Sequence, residues 1–530
     1  MRRAALLALA LVLAGCPSRS EPSAAARTTA VIQVQQEPDT LNPYVSAMNA
    51  TTAMCSLFYS GLVMLDDKGE WQPDLAEKLP EVKLDGRGMR VTYRLRPGLK
   101  WSDGQDLTAA DVAATYQLIM DPAFPSLSRA GYDQVQAVTA PDARTVVVAF
   151  KAPYAPYLEL FPFILPAHVV KRGAHADREA WNREPVGSGP YKIVRWSSGD
   201  RLVADANPGY FRGAPTIPHL EVRFINQDMT AFNLWRSGEL DLFQGASPTQ
   251  FDFLQREAPL RVFQTPAPTW EHLVFNLDHP ILKDLRVRRA IAHLVDRERL
   301  NAAAYGGVFQ PAWSEVPAGS WAYNRNVERR YPYDPAQAKQ LLDEAGWKPG
   351  PDGIRVKDGK KLALGLLTTS DRPSRELAGQ LWRRQWHDVG IELTVEKRGA
   401  SEVFGGAASG GRLAKGTFDL ALMASVSRPD PDTSFRWRSD QVPPAGQNRA
   451  RYRNPTVDKL LAEGQRTIDR AARKPIYAKL AEQLALDLPV LPLLYWVGID
   501  ATSQRLEGYR PNPTLRGNLW NVWEWKLKPN

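Results

Sequence analysis

Short alternating runs and longer helical runs succeed one another along most of the chain. Val31–Val34 is a short apolar run with strand character, and Arg90–Arg96 alternates apolar and polar residues with period two, which predicts a half-buried strand. Thr145–Phe150 predicts another. Thr108-Ala-Ala-Asp111 is spaced as a capping box, so a helix is expected over Ala109–Met120, stopped by Asp121-Pro122. Apolar residues at helical spacing fill Arg286–Leu300. Asp334-Pro335 supplies an N-cap and a first-turn proline for a helix that ends at Ala345 before Gly346. Leu362–Thr368, Pro373–Asp388 and Ile391–Lys397 read as strand, helix and strand, a unit that predicts a parallel pair with a right-handed crossover. Pro455–Asp487 is almost continuously helical, with an expected break at Pro475, and Pro489–Trp496 is an apolar run before a closing strand. No repeat of 20–50 residues is visible. The pattern is mixed α/β with more than one lobe.

The N-terminus has a different logic. Met1–Arg3 is a basic head, Ala4–Ala14 an apolar core too short for a bilayer of about 30 Å, and Leu13-Ala14-Gly15-Cys16 follows. This resembles a bacterial lipoprotein signal. The resemblance implies removal of residues 1–15, lipidation of Cys16 and a membrane anchor. Residues 16–29, rich in Ser, Ala, Pro and Arg, would be a flexible tether. No later stretch has about 20 consecutive apolar residues, so the protein is expected to be held at a membrane without spanning it.

Composition narrows the class. With 530 residues the prior is roughly three lobes, and 44% apolar residues with 16 Trp can bury a large core, which excludes disorder for most of the chain. Two cysteines make neither a disulfide framework nor a four-cysteine metal site, and Cys55, between Met54 and Leu57, is expected in the core. The charge of +9 is mild, with no run of five or six basic residues, so a nucleic-acid partner is not expected. H-E-x-x-H, G-x-S-x-G and Walker A strings are missing. Ser188, between Gly187 and Gly189, has no local base; the two glycines suit a tight turn where the backbone passes between lobes. The seven histidines (His168, His175, His219, His272, His279, His293, His387) are not at metal-ligand spacing. Neither catalysis nor a metal or cofactor is expected.

Several strings occur in an informative order: L-N-P at Leu41–Pro43, Phe58–Leu62, W-Q-P-D-L-A-E at Trp71–Glu77, Y-R-L-R-P-G-L-K-W-S-D-G at Tyr93–Gly104 and Thr108–Val112. They continue with P-V-G-S-G-P-Y at Pro185–Tyr191, N-P-G-Y-F at Asn207–Phe211, R-S-G-E-L-D at Arg236–Asp241, Asp284–Ile291, Tyr333–Leu342 and D-P-D-T-S-F at Asp430–Phe435. Over nearly the whole mature chain this resembles the extracytoplasmic solute-binding proteins of ABC importers, family 5, the peptide/nickel/oligosaccharide class. The resemblance implies a two-lobed α/β periplasmic-binding-protein fold with an additional inserted subdomain and a ligand cleft between the lobes. Lobe I would comprise 30–62, 187–275 and 499–530, the insertion 63–186 and lobe II 276–498, with hinge crossings near Phe275-Asn276 and Trp496-Val497. It implies a monomeric, lipid-anchored receptor on the extracytoplasmic side of a bacterial membrane. The receptor would capture peptides or another small polar solute by hinge closure and pass it to an ABC permease. A cell-envelope hydrolase, or a sensor or chaperone on the same fold, is the alternative.

The resemblance also suggests which residues meet ligand. Ala47, Met48 and Asn49 follow the L-N-P string, Trp270 and Phe275 precede the first crossing, and Tyr495 and Trp496 mark the second. Peptide-binding relatives carry an aspartate four residues before the proline that matches Pro431, where it pairs with the peptide's ammonium. This chain has Ser427 there, followed by Arg428, so only Asp430, with a shifted loop, is left to take that part. A carboxylate, phosphate or neutral polar ligand suits Ser427 and Arg428 better than an ammonium does.

Overall fold

The computed structural model describes residues 28–46, 48–170, 178–258 and 261–528. The signal segment, Cys16, most of the tether, Ala47 and His175 lie outside the described residues.

The chain enters through strand β1 (Thr29–Val34) and helix α1 (Asn49–Phe58). Cys55 on α1 is buried, and its thiol donates to the Leu41 carbonyl (3.3 Å), the core role expected of it. An antiparallel sheet follows, formed by β2 (Glu81–Asp85), β3 (Gly88–Arg94), β4 (Val135–Thr139) and β5 (Thr145–Phe150) in the order β2-β3-β5-β4. Helix α2 (Ala109–Met120) packs on it. The capping box is present: Asp111 accepts from the Thr108 amide at 2.7 Å.

The chain then returns through Gly187-Ser188-Gly189 against the end of α1. The Gly189 amide donates to the Phe58 carbonyl (2.8 Å) and the Ser188 hydroxyl accepts from the Ser60 amide (3.1 Å). A Cβ on Gly187 would lie 1.9 Å from the Phe58 oxygen, and one on Gly189 would lie 2.5 Å from the Phe58 carbonyl carbon. The glycines therefore serve close backbone approach.

Nine further strands join β1 in one eleven-stranded sheet. They are β6 (Tyr191–Ser197), β7 (Arg201–Ala206), β8 (His219–Phe224), β9 (Leu242–Phe243), β10 (Val262–Phe275), β11 (Ala363–Thr369), β12 (Glu392–Arg398), β13 (Leu420–Val426) and β14 (Val490–Thr502). With β1 their order is β12-β11-β13-β10-β14-β9-β1-β8-β7-β6, and the two-residue strand Gln310–Pro311 pairs off the path with β14. β11 and β12 are parallel, as predicted from the strand–helix–strand unit.

Helices cover the sheet, and two differ from expectation. The apolar stretch Arg286–Leu300 is two helices, α3 (Leu285–His293) and α4 (Arg297–Tyr305), because Asp296 caps α4 by accepting from the Arg299 amide (3.0 Å). After α5 (Pro335–Glu344) and α6 (Pro373–His387), the long C-terminal helical stretch breaks at Thr467–Asp469, not at Pro475. Asp469 accepts from the Ala472 amide (2.7 Å) and starts α8 (Arg470–Asp487), which contains Pro475; α7 (Pro455–Arg466) precedes it.

β10 and β14 form a long antiparallel ribbon. One half pairs Val262–Pro266 with Ala501–Val497, the other Trp270–Val274 with Tyr495–Val490, and the register shifts between Pro266 and Trp270. Separate hydrophobic clusters lie on either side. One gathers β1, α1 and the inserted sheet; another gathers Leu273, Phe275, α3, α4, Trp382 and Trp386.

Candidate ligand cleft

Strand direction locates the cleft. β1 and β8 run parallel, as do β1 and β9, and β9 is antiparallel to β14, so the carboxyl ends Val34, Phe224 and Phe243 all point along the ribbon toward its irregular middle. β13 is antiparallel to β10, and β11 and β12 are parallel to β13. Their carboxyl ends Val426, Thr369 and Arg398 therefore point at the same middle from the opposite side. Carboxyl ends of parallel strands are where α/β sheets take ligand. Here two sets of them face each other across a ribbon whose pairing is interrupted.

On the first side, amides tie the strand ends together. The Gln35 side chain donates to the Gly245 carbonyl (2.6 Å), and that of Gln33 donates to Ile225 (2.8 Å) and accepts from the Gln244 amide (3.0 Å). Met48 is half-buried as the N-cap of α1, and Asn49 is exposed at its first residue.

On the second side, charged groups dominate. Glu271, buried on β10, accepts from Arg375 Nε (2.6 Å) and Nη2 (3.3 Å) and from the Trp496 indole (3.1 Å). Arg375 Nη1 adds the Thr369 hydroxyl (3.1 Å). Trp496 stacks on Phe309, and the Arg372 guanidinium lies 5.5 Å from its ring centre. Tyr495 is buried and donates to the Ser314 carbonyl (2.7 Å). Trp270 is fully buried and stacked on His272 at 4.0 Å. Phe275 is fully buried in the cluster with α3 and α4 and pairs with Leu420; the ribbon shows no irregularity there.

The loop after β13 carries Ser427, Arg428 and Asp430. The Ser427 hydroxyl donates to the Glu315 carbonyl (2.5 Å) and its amide to the Pro268 carbonyl (2.6 Å). Arg428 pairs with Glu159 of the segment after β5 (2.9 Å), and Glu159 also accepts from the Asp430 amide (2.9 Å). Asp430 holds Arg473 through two bonds of 2.7 Å. Burial raises the Glu159 carboxyl to about 7; Arg428 opposes the shift and Asp430 adds to it. Arg470 on α8 pairs with Glu70 (3.2 Å), a second ionic contact with the region 63–186.

Glu159, Glu271, Arg375 and Glu315 were not found from sequence. No local pattern marks them: the Arg375–Glu271 partners are 104 residues apart, and the Asp430–Glu159 partners 271. Among the described residues no three His, Cys, Asp or Glu side chains gather as a metal site.

Opposed strand ends on two lobes define the class as a solute-binding protein. The sequence profile of bacterial extracellular solute-binding proteins, family 5 middle, matches residues 70–444. Protein XP55 of Streptomyces lividans is 32% identical over 87% of this chain and 82% of its own length. The oligopeptide-binding protein AppA of Bacillus subtilis is 27% identical over 99% of this chain and 98% of its own. The AppA structure with a nonapeptide superposes with a TM-score of 0.77 at 26% identity, over 94% of this chain and 99% of that one. NikZ of Campylobacter jejuni with Ni(L-His) gives 0.79 at 25% identity and the same coverage. The chain belongs to family 5 of the bacterial extracellular solute-binding proteins. It is a two-lobed receptor of the kind that serves ABC importers, and not an enzyme. No helix among the described residues is long and apolar enough to cross a membrane.

Proposed function

We propose that this protein, tethered by lipid on Cys16, captures an oligopeptide or another small polar solute between its lobes and hands it to an ABC permease. The single observation that carries the reading is the convergence of two sets of strand ends on the interrupted ribbon, in a chain aligned end to end with an oligopeptide-binding protein. The crossings between lobes are assigned to Pro266–Trp270 and Tyr495–Val497, so lobe I gives up the second half of β10. The insertion 63–186 then carries Glu159 to the lobe II loop. Closure is a hinge motion at the ribbon.

Met48, Asn49, Trp496, Ser427 and Arg428 line the cleft in this reading, while Trp270, Phe275 and Tyr495 support it from the core. An ammonium anchor at Ser427, Arg428 or Asp430 is not part of it. Ser427 has no charge, and the carboxylates of Glu159 and Asp430 are taken by Arg428 and Arg473.

Native mass spectrometry of the chain from residue 17, purified without refolding, tests the proposal. A retained solute released on unfolding is the expected result, and its mass gives the ligand class. A protein that retains nothing and takes up neither peptides nor other polar solutes on titration overturns it.

A further inference from the structure

The eleven-stranded sheet has two edges, and they differ. At one, β6 pairs with β7 through a register shift between Ile193 and Arg195, a bulge of the kind that spoils an edge for further pairing. At the other, β12 pairs with β11 in one unbroken register from Glu392 to Arg398, with no proline and no bulge. The outer row of β12 backbone groups meets no strand among the described residues. Charges stand at Glu392 and from Glu396 to Arg398, while Leu393-Thr394-Val395 between them is uncharged. An edge of this form is a template for another strand.

A groove of about 800 Å³ runs beside this edge. Ile391–Val395 line one side of it, and Glu376, Gln380, Arg383, Arg384 and His387, spaced as one face of α6, line the other. Helix and strand are level at two points. Glu376 in the first turn of α6 pairs with Lys397 near the end of β12 (2.8 Å), and a Cβ on Gly379 would lie 2.8 Å from Val395 Cγ2. The two elements therefore run in opposite directions, with Gly379-Gln380 beside Val395. Their rises agree: from Lys397 back to Val395 is about 6.6 Å along a strand, and from Glu376 on to Gln380 is about 6 Å along a helix.

A two-fold axis through Val395, normal to the sheet, brings an antiparallel copy of β12 against the edge and sets Glu392 opposite Arg398 of the copy. The same axis passes level with Gln380, so it also sets Glu376 opposite Arg384 of the copy. One operation thus matches opposite charges on the strand and on the helix. Arg384 and Glu392 hold no salt bridge among the described residues, and the pairs already made by the other two, Glu376–Lys397 and Arg398–Glu402, are exposed and open to sharing. We propose that β12 and α6 form the joint of a homodimer in which the sheets of two copies meet edge to edge. This departs from the monomer that the family resemblance implies. The joint uses none of the residues assigned above to the cleft lining, so solute capture does not depend on it.

Sedimentation velocity on the chain from residue 17 tests the proposal as the protein is concentrated into the high micromolar range. The wild type should pass from one chain to two. Glu376→Arg and Arg384→Glu should each associate on the order of tenfold more weakly. Arg384 makes no side-chain hydrogen bond or salt bridge among the described residues, so Arg384→Glu removes the match across the joint without removing an internal contact. An equimolar mixture of the two variants should recover the dimer as a pair with one chain of each, resolved by native mass spectrometry, because across a two-fold axis each new charge meets its opposite twice. A wild type that stays at one chain throughout overturns the proposal. A dimer that both variants keep at full strength, or that their mixture does not recover, places the joint elsewhere and overturns it too.

Discussion

Two carboxylate–guanidinium clusters flank the cleft, built from the same groups to different ends. Glu271 on β10 and Arg375 on α6 sit together, with side chains 1% and 6% exposed, and Glu271 also accepts from the Trp496 indole. Glu159 and Arg428 join the segment after β5 to the loop after β13, and the Arg428 side chain is 43% exposed. The first cluster keeps the ends of β10, β11 and β14 in one geometry. The second is intact only while the two regions touch. A buried pair within one packed cluster fixes a shape; a pair between distant segments, in the receptor proposed above, reports whether they are closed.

The largest effect should come from the first cluster. Arg375→Met leaves the Glu271 carboxylate buried and unpaired, so denaturant unfolding should show a loss of about 3–5 kcal/mol. The double variant Glu271→Leu with Arg375→Met should recover much of that loss, because the uncompensated charge is gone. A loss no greater than that of an exposed pair would erase the contrast between the clusters.

The second cluster should act on binding and pH. Glu159 stands at about 7 in the structure against an ordinary 4.5, so in the opened receptor, exposed, it gives up a proton that it regains on closure. The sign follows from the raised value. Closure is weakest above pH 7 and strengthens as pH falls through 7 toward 4.5. Affinity for the retained solute should rise on the order of tenfold from pH 7.5 to 5.5, and Glu159→Gln should flatten that rise in calorimetric titrations.

Ser427→Asp sharpens the comparison from the ligand's side. A carboxylate there is repelled by the Glu315 carbonyl that now accepts from Ser427, and turns toward the cleft. Affinity for free-amine peptides should rise severalfold over that for their N-acetyl forms, and calorimetry with both measures it. If the wild type already prefers free amines and the variant does not, some other group holds the ammonium. The smallest effect belongs to Arg470→Ala. Its pair with Glu70 is half-exposed on both sides, so stability should change by about 0.5 kcal/mol or less.

Local signals in the sequence were dependable where one residue decides a local structure. The Thr108–Asp111 box starts α2, Asp334-Pro335 starts α5, and the runs Arg90–Arg96 and Thr145–Phe150 are β3 and β5. They failed where an apolar period runs on through a break. Asp296 and Asp469 each cap a new helix inside such a period, and a single aspartate does not interrupt it. The site was legible only in part. The loop Ser427–Asp430 could be singled out by its strings, but Ser427 bonds a carbonyl, Arg428 meets Glu159 and Asp430 meets Arg473. Those partners come from distant segments.

The most direct test is the distance across the cleft. Spin labels at Gln227, exposed beyond the end of β8, and Ser401, exposed beyond the end of β12, stand on opposite lips. Double electron–electron resonance on protein stripped of solute, then supplied with the material released from it, should show a long distance giving way to a shorter one. One unchanged distance in both states would contradict capture by hinge closure.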